Sequence, residues 1–134
     1  MEIWQLARQL NKMLFTLTEK GEFIRDFKFK YQLRDSGGSI MDNIAEGFGR
    51  GGNREFSNFL TISEGSCTEV QSQLYRAVDR KYITEEELKD SHELAKLISD
   101  KTGALITYLI QSEYKGQKFR SETNDKQQTA NDKH

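Results

Sequence analysis

Apolar residues recur every three or four positions through most of this chain, and no proline interrupts them. Such spacing places one apolar stripe along an α-helix, and proline is the residue that most often kinks or stops one. Ile3, Leu6, Ala7, Leu10, Met13, Leu14 and Leu17 form the first stripe, with Trp4 and Phe15 off it or at its edge. That helix is predicted to fade between Thr18 and Gly21. A second stripe runs through Leu33, Ile40, Ile44, Ala45 and Phe48. A third presents Phe56, Phe59, Leu60, Ser63, Cys67, Val70, Leu74, Ala77 and Val78. Asn53 is its expected N-cap, and Glu55 suits a first turn. Thr84-Glu85-Glu86-Glu87 is a capping box that opens a fourth helix. Leu88, Leu94, Ala95, Leu97, Ile98, Leu105, Ile106, Tyr108, Leu109 and Ile110 follow, a face broad enough to meet neighbours on two sides. The third and fourth helices are each expected to run about 25 residues.

Two segments break the pattern. Phe27, Phe29, Tyr31 and Leu33 alternate with polar residues, as in a strand. No second strand is available for pairing, so the segment reads as a connector into the second helix. Gly37-Gly38 lie within that helix at a cost of roughly 1 kcal/mol each relative to alanine. Adjacent glycines there imply either a backbone packed closely against them or a kink. Ser63, Gly65, Ser66 and Cys67 give the third helix a strip of small residues that would admit a close neighbour. Four helices with short turns predict an all-α fold, an antiparallel up-down four-helix bundle. The bundle is expected over residues 1–114, and the polar stretch at 115–134 reads as a disordered tail.

Composition bounds the function. Hydrophobic residues make up 35% and charged residues 31%, which suits narrow stripes on exposed helices. The net charge of −1 gives no bulk support for nucleic-acid binding, so only a local basic patch could serve. Cys67 is the single cysteine and excludes an internal disulfide. Met1 to Gln5 is too polar for a secretory signal, and no run approaches the length of a membrane span, so a cytoplasmic location is expected.

Gly47-Phe48-Gly49-Arg50-Gly51-Gly52 satisfies the dinucleotide fingerprint G-x-G-x-x-G, but that motif must follow a strand. A helical stripe precedes it here, so the string reads first as a helix end and turn in which glycine supplies left-handed dihedrals. The turn also opens the third helix. Arg50 and Arg54 stand beside that helix's N-terminal amides, where a phosphate or RNA backbone could dock. Lys28, Lys30 and Arg34, with Arg25, interleave with Phe27, Phe29 and Tyr31. Charge and stacking together can hold a single strand, although core aromatics with solvated charges explain the pattern more simply. Arg76, Arg80 and Lys81 complement a helix C-terminus. Glu46 is placed to pair with Arg50 four residues on. Glu46, Glu64 and Glu69 lack the Glu-x-x-His partners of a di-metal bundle, since His92 has no glutamate three residues before it and His134 is terminal. Cys67 reads as a small buried hydrophobe. No catalytic residue, metal or cofactor is expected.

Leu33-Arg34, Ser39-Ile40, Asn43-Ile44-Ala45-Glu46-Gly47-Phe48-Gly49-Arg50, Glu55-Phe56, Phe59-Leu60, Gly65-Ser66, Glu69, Gln73-Leu74 and Tyr82-Ile83 together resemble the bacterial 23S rRNA-intervening-sequence proteins. The resemblance spans roughly residues 1–112, and its signature residues are Asn43, Glu46, Gly47, Gly49 and Arg50. It implies a left-handed bundle that assembles into a ring-like homopentamer. It also implies kinship with the accessory variability proteins of diversity-generating retroelements, pentameric barrels that engage a reverse transcriptase and nucleic acid. Relatives often carry a basic, alanine-rich lead and a proline where this chain has Asp35 and Met41. The second helix is therefore expected to be straighter and less basic. The resulting expectation is a non-enzymatic oligomeric scaffold that binds RNA or a nucleoprotein through Arg50, Arg54, Arg34, Lys30 and Lys28. The alternative is a scaffold for protein partners, such as a reverse transcriptase, without direct nucleic-acid contact.

Overall fold

The computed structural model describes residues 1–132, with side chains described through residue 116. Its elements are α1 (Glu2–Thr18), a single 3-10 turn (Phe23–Arg25), α2 (Phe27–Gly49), α3 (Asn53–Asp79) and α4 (Glu85–Asp132). There is no strand among the described residues. The helices form a four-helix bundle in which α1 packs on α2 and α4, and α3 packs on the same two helices.

The first stripe behaves as read. Ile3, Ala7, Leu10, Leu14 and Leu17 are buried, and Leu6 and Met13 pack at the edge. Ile40, Ile44, Leu60, Cys67, Val70, Leu74 and Ile98 meet them in one core. Burying a side chain of this size stabilises by roughly 1.5–3 kcal/mol. Ala45 and Phe48, expected on the stripe of α2, are exposed instead.

The alternating segment is helix, not connector. Asp26 caps α2 by accepting the Phe29 amide at 3.2 Å, so the connector shrinks to Glu19–Asp26. Phe29 and Leu33 lie one turn apart and enter the core, while Phe27 and Tyr31 stay outside. The alternation was real in the sequence, but its two halves fall on different sides of a helix.

Close approach explains one of the paired glycines. A Cβ on Gly37 would lie 2.8 Å from Leu14 Cδ1 and 2.9 Å from Asn11 Oδ1, whereas nothing comes within 4 Å of one on Gly38. Asn11 Nδ2 donates to the Gly37 carbonyl at 2.9 Å across this contact. Between α2 and α3, Ser63 donates to the Ile40 carbonyl at 2.9 Å and Ser66 shares a 2.8 Å hydrogen bond with Ser39. The small-residue strip thus does its work through Ser63 and Ser66. Gly65 is exposed and has nothing beside it.

Caps define the ends. The expected box opens α4: the Thr84 amide donates to Glu87 at 2.9 Å, and the Glu87 amide donates to the Thr84 hydroxyl at 3.0 Å. The N-cap of α3 is Gly52 rather than Asn53, which is already helical, and no side chain caps that end. At the other end of α3, Lys81 adopts φ +61°. Its amide donates to Val78 and that of Tyr82 to Ala77, each at 2.9 Å, the pairing of a Schellman motif. α3 has 27 residues and α4 has 48, so α4 runs far beyond the expected length. The expectation of a disordered tail at 115–134 falls almost wholly outside the described side chains.

Candidate nucleic-acid interface

The glycine string divides by role. Gly47 is buried in α2, where a Cβ would lie 2.6 Å from Phe59 Cβ and 3.1 Å from Phe56 Cδ1. Gly47 is therefore a packing glycine, and the turn is Arg50 to Gly52. Gly51 alone takes a left-handed dihedral, φ +83°. Gly49 and Gly52 have open space where a side chain would project. The preceding element is a helix, so the dinucleotide context is missing.

Arg50 pairs with Glu46 as its spacing predicts, Nη2 to Oε1 at 2.9 Å, and its guanidinium lies 5.4 Å from the centre of the Phe59 ring. Both partners of that ion pair are about half exposed, so the pair is worth little in water and easily exchanged. Arg54 is exposed and makes no ion pair among the described residues. It lines a groove of about 380 Å³ with Ser57 and Asn58 of α3 and Leu109, Ile110, Glu113 and Tyr114 of α4.

Asn43 faces inward. Its amide donates to the Ser39 carbonyl at 2.8 Å and to the Ser39 hydroxyl at 3.0 Å, which ties it to the Ser39–Ser66 contact. Of the signature residues, Gly47 packs α2 directly against α3, Asn43 braces the Ser39 that reaches α3, and Glu46, Gly49 and Arg50 lie on the surface of the helix end.

Lys28, Lys30 and Arg34 do not join Arg50 and Arg54. Lys30 and Arg50 are separated along α2 by roughly 30 Å at the helical rise. Lys30 is buried, 7% exposed at its side chain, with its ammonium 3.9 Å from Glu19. Arg34 is bound to Glu19 and donates from Nε to the Thr18 hydroxyl at 2.8 Å. The Arg34 hydrogen bond, then the nearby charges of Arg34 and Lys30, hold the Glu19 carboxyl below its usual range against a desolvation cost. Lys28 is exposed. At the same end Arg76 and Arg80 stack over the Phe29 ring at 4.5 and 4.8 Å, and Arg80 pairs with Asp26 at 3.1 Å. Those two arginines serve this packing as well as the helix end. The buried lysine was invisible to sequence reasoning, because its burial depends on Glu19 arriving from α1.

Burial, and then the charge of Glu64, push the Cys67 thiol up to about 12, as befits a packed, inert sulfur. Among the described residues no group of three or more His, Cys, Asp or Glu could hold a metal ion, and no helix is long and apolar enough to cross a membrane.

The sequence profile of the 23S rRNA-intervening sequence proteins matches residues 1–104. Among curated proteins none matches the chain. A crystal structure from Bacteroides thetaiotaomicron, of a protein with unknown function from the S23 ribosomal protein family, is similar with a TM-score of 0.70. At 20% identity it covers 78% of this chain and 97% of its own, which supports the fold alone.

Proposed function

The chain belongs to the 23S rRNA-intervening sequence protein family, and from that premise we propose that it is a non-enzymatic, self-assembling scaffold that holds RNA at the turn between α2 and α3. One observation carries the reading. Arg50 and Arg54 flank a helix start with no side-chain cap, and the space beside Gly49 and Gly52 is open. The free amides of a helix N-terminus attract a phosphate, and Arg50 can leave an exposed pair with Glu46 at small cost. Lys28, Lys30 and Arg34 sit at the far end of α2 and contribute to a different surface.

The bundle is up-down and antiparallel in this reading. Paired contacts support it, each advancing along one helix while retreating along the next: Asn11–Gly37 and Thr18–Arg34 for α1 and α2, Ser36–Glu69 and Ile40–Ser63 for α2 and α3, and Glu64–Gly103 and Tyr75–His92 for α3 and α4. Self-association as a ring, a homopentamer with left-handed bundles, would draw on α4, which exposes Leu97, Tyr108, Ile110 and Tyr114. Ile110 and Tyr114 lie one turn apart and line one groove with Leu109, and exposed apolar surface of that kind suits an interaction site. The same surface supports the second reading, a scaffold for a protein partner such as a reverse transcriptase. A cytoplasmic location accords with both. The test is binding of a structured RNA to the wild type and to Arg50→Ala/Arg54→Ala, with the solution mass measured by light scattering. RNA binding that survives the double substitution contradicts the turn site, and a mass near 15.5 kDa contradicts the ring.

A further inference from the structure

On the α1–α2 side of the bundle, three aromatic rings and two cations alternate. The Lys30 ammonium lies 5.3 Å from the centre of the Phe27 ring and 5.1 Å from that of Tyr31. The Arg34 guanidinium lies 5.8 Å from the Tyr31 ring and 4.5 Å from Phe15. The order is therefore Phe27, Lys30, Tyr31, Arg34, Phe15. The cations are withdrawn, with side chains 7% and 21% exposed. The rings are not: Phe27 is 64% exposed, Tyr31 52% and Phe15 55%.

This arrangement inverts the usual economy of a soluble helix pair, in which rings go inside and cations outside. Glu19 and Thr18 fix Arg34, and Glu19 also faces Lys30. The two cations thus hold the rings in place from within, at some cost in buried charge. A ring with a cation on one side still offers its outer surface for stacking. The rings also have cationic company for a phosphate chain. A groove of about 480 Å³ starts at Phe15 and is lined by Arg8, Asn11, Lys12 and Thr16, and Lys28 is exposed on the first turn of α2.

We propose that this ladder is a stacking platform for single-stranded nucleic acid, with bases on Phe15, Tyr31 and Phe27 and the backbone tracking Arg8, Lys12 and Lys28. Alternating aromatic and basic groups bind single strands in this way, because every base has a stacking face while a duplex hides its own. The proposal rests on the nucleic-acid reading above but uses a different face of the bundle, so the two can fail separately.

The experiment is fluorescence anisotropy with a labelled oligouridylate and with an RNA duplex of equal length. The proteins are the wild type, Phe15→Leu/Tyr31→Leu, Tyr31→Phe and Arg50→Ala/Arg54→Ala. Leucine keeps apolar area and removes the ring. The ladder predicts that the single strand binds the wild type more tightly than the duplex. It further predicts that the double leucine variant binds the single strand at least roughly tenfold more weakly, and that Tyr31→Phe binds as the wild type does. Unchanged single-strand binding by the double leucine variant overturns the proposal. If binding is then lost only in Arg50→Ala/Arg54→Ala, the turn reading stands and the ladder falls. No binding of the oligouridylate by the wild type also overturns the ladder. Matching circular dichroism spectra check that the variants fold, as substitutions at exposed positions should.

Discussion

Gly47 and Phe59 approach so closely that a single added carbon on Gly47 would lie 2.6 Å from Phe59 Cβ. The family string therefore contains a packing constraint between α2 and α3 as well as a turn. Gly47→Ala should destabilise the fold by about 1–3 kcal/mol, the usual range for overpacking. Gly49→Ala, with nothing within 4 Å of the new carbon, should be neutral or stabilising by up to about 1 kcal/mol. Urea unfolding of both variants checks this. Equal effects would mean that the string's glycines share one role.

Gly37 and Gly38 offer a second contrast within one helix. Gly38→Ala meets open space in mid-helix and should stabilise by roughly 0.5–1 kcal/mol. Gly37→Ala must move Leu14 and disturb Asn11, which donates to Gly37, so it should destabilise. Thermal unfolding midpoints that shift in opposite directions would bear this out.

Lys81 holds a left-handed position that closes α3 without being glycine. A side chain there costs on the order of 1 kcal/mol. Lys81→Gly should recover much of it by removing the Cβ clash. A lower unfolding midpoint in that variant would show that the lysine makes a contact worth more than the strain.

Acid should weaken the end of the bundle where α2 begins. The Tyr82 hydroxyl first, then the Phe29 amide and Arg80, hold the Asp26 carboxyl below its ordinary 3.8. A carboxylate depressed in the folded state adds stability above its unfolded value and loses it as pH falls through the folded one. Glu19 acts in the same direction through Arg34. Urea midpoints should therefore fall as the pH drops from neutral through the carboxylate range. Asp26→Asn should flatten that dependence. A variant as acid-sensitive as the wild type would place the titration elsewhere.

The stripes of α1 and α3 and the capping box of α4 were legible because each depends only on local spacing or on reach across one turn. The segment from Phe27 to Leu33 reads as a connector in sequence because alternation and helical spacing share Phe29 and Leu33. Only the cap at Asp26 and the packing of Tyr82 decide between them. Asn53 was a better N-cap on side-chain grounds, yet the chain starts α3 one residue early. Among the site residues, the Glu46–Arg50 pair followed from spacing alone. The separation of Arg50 and Arg54 from Lys28, Lys30 and Arg34 followed only once α2 was seen to be continuous.

The most direct test of the scaffold reading is RNA binding by the full chain across a salt series, with Arg50→Ala/Arg54→Ala beside the wild type. Contacts to the phosphate backbone release counterions, so affinity should fall steeply as salt rises. The double variant should bind more weakly, with a shallower slope by about one to two phosphate contacts. The same affinity and slope in both proteins, or no binding at low salt, would contradict RNA recognition at the turn and leave the bundle as a scaffold for protein partners.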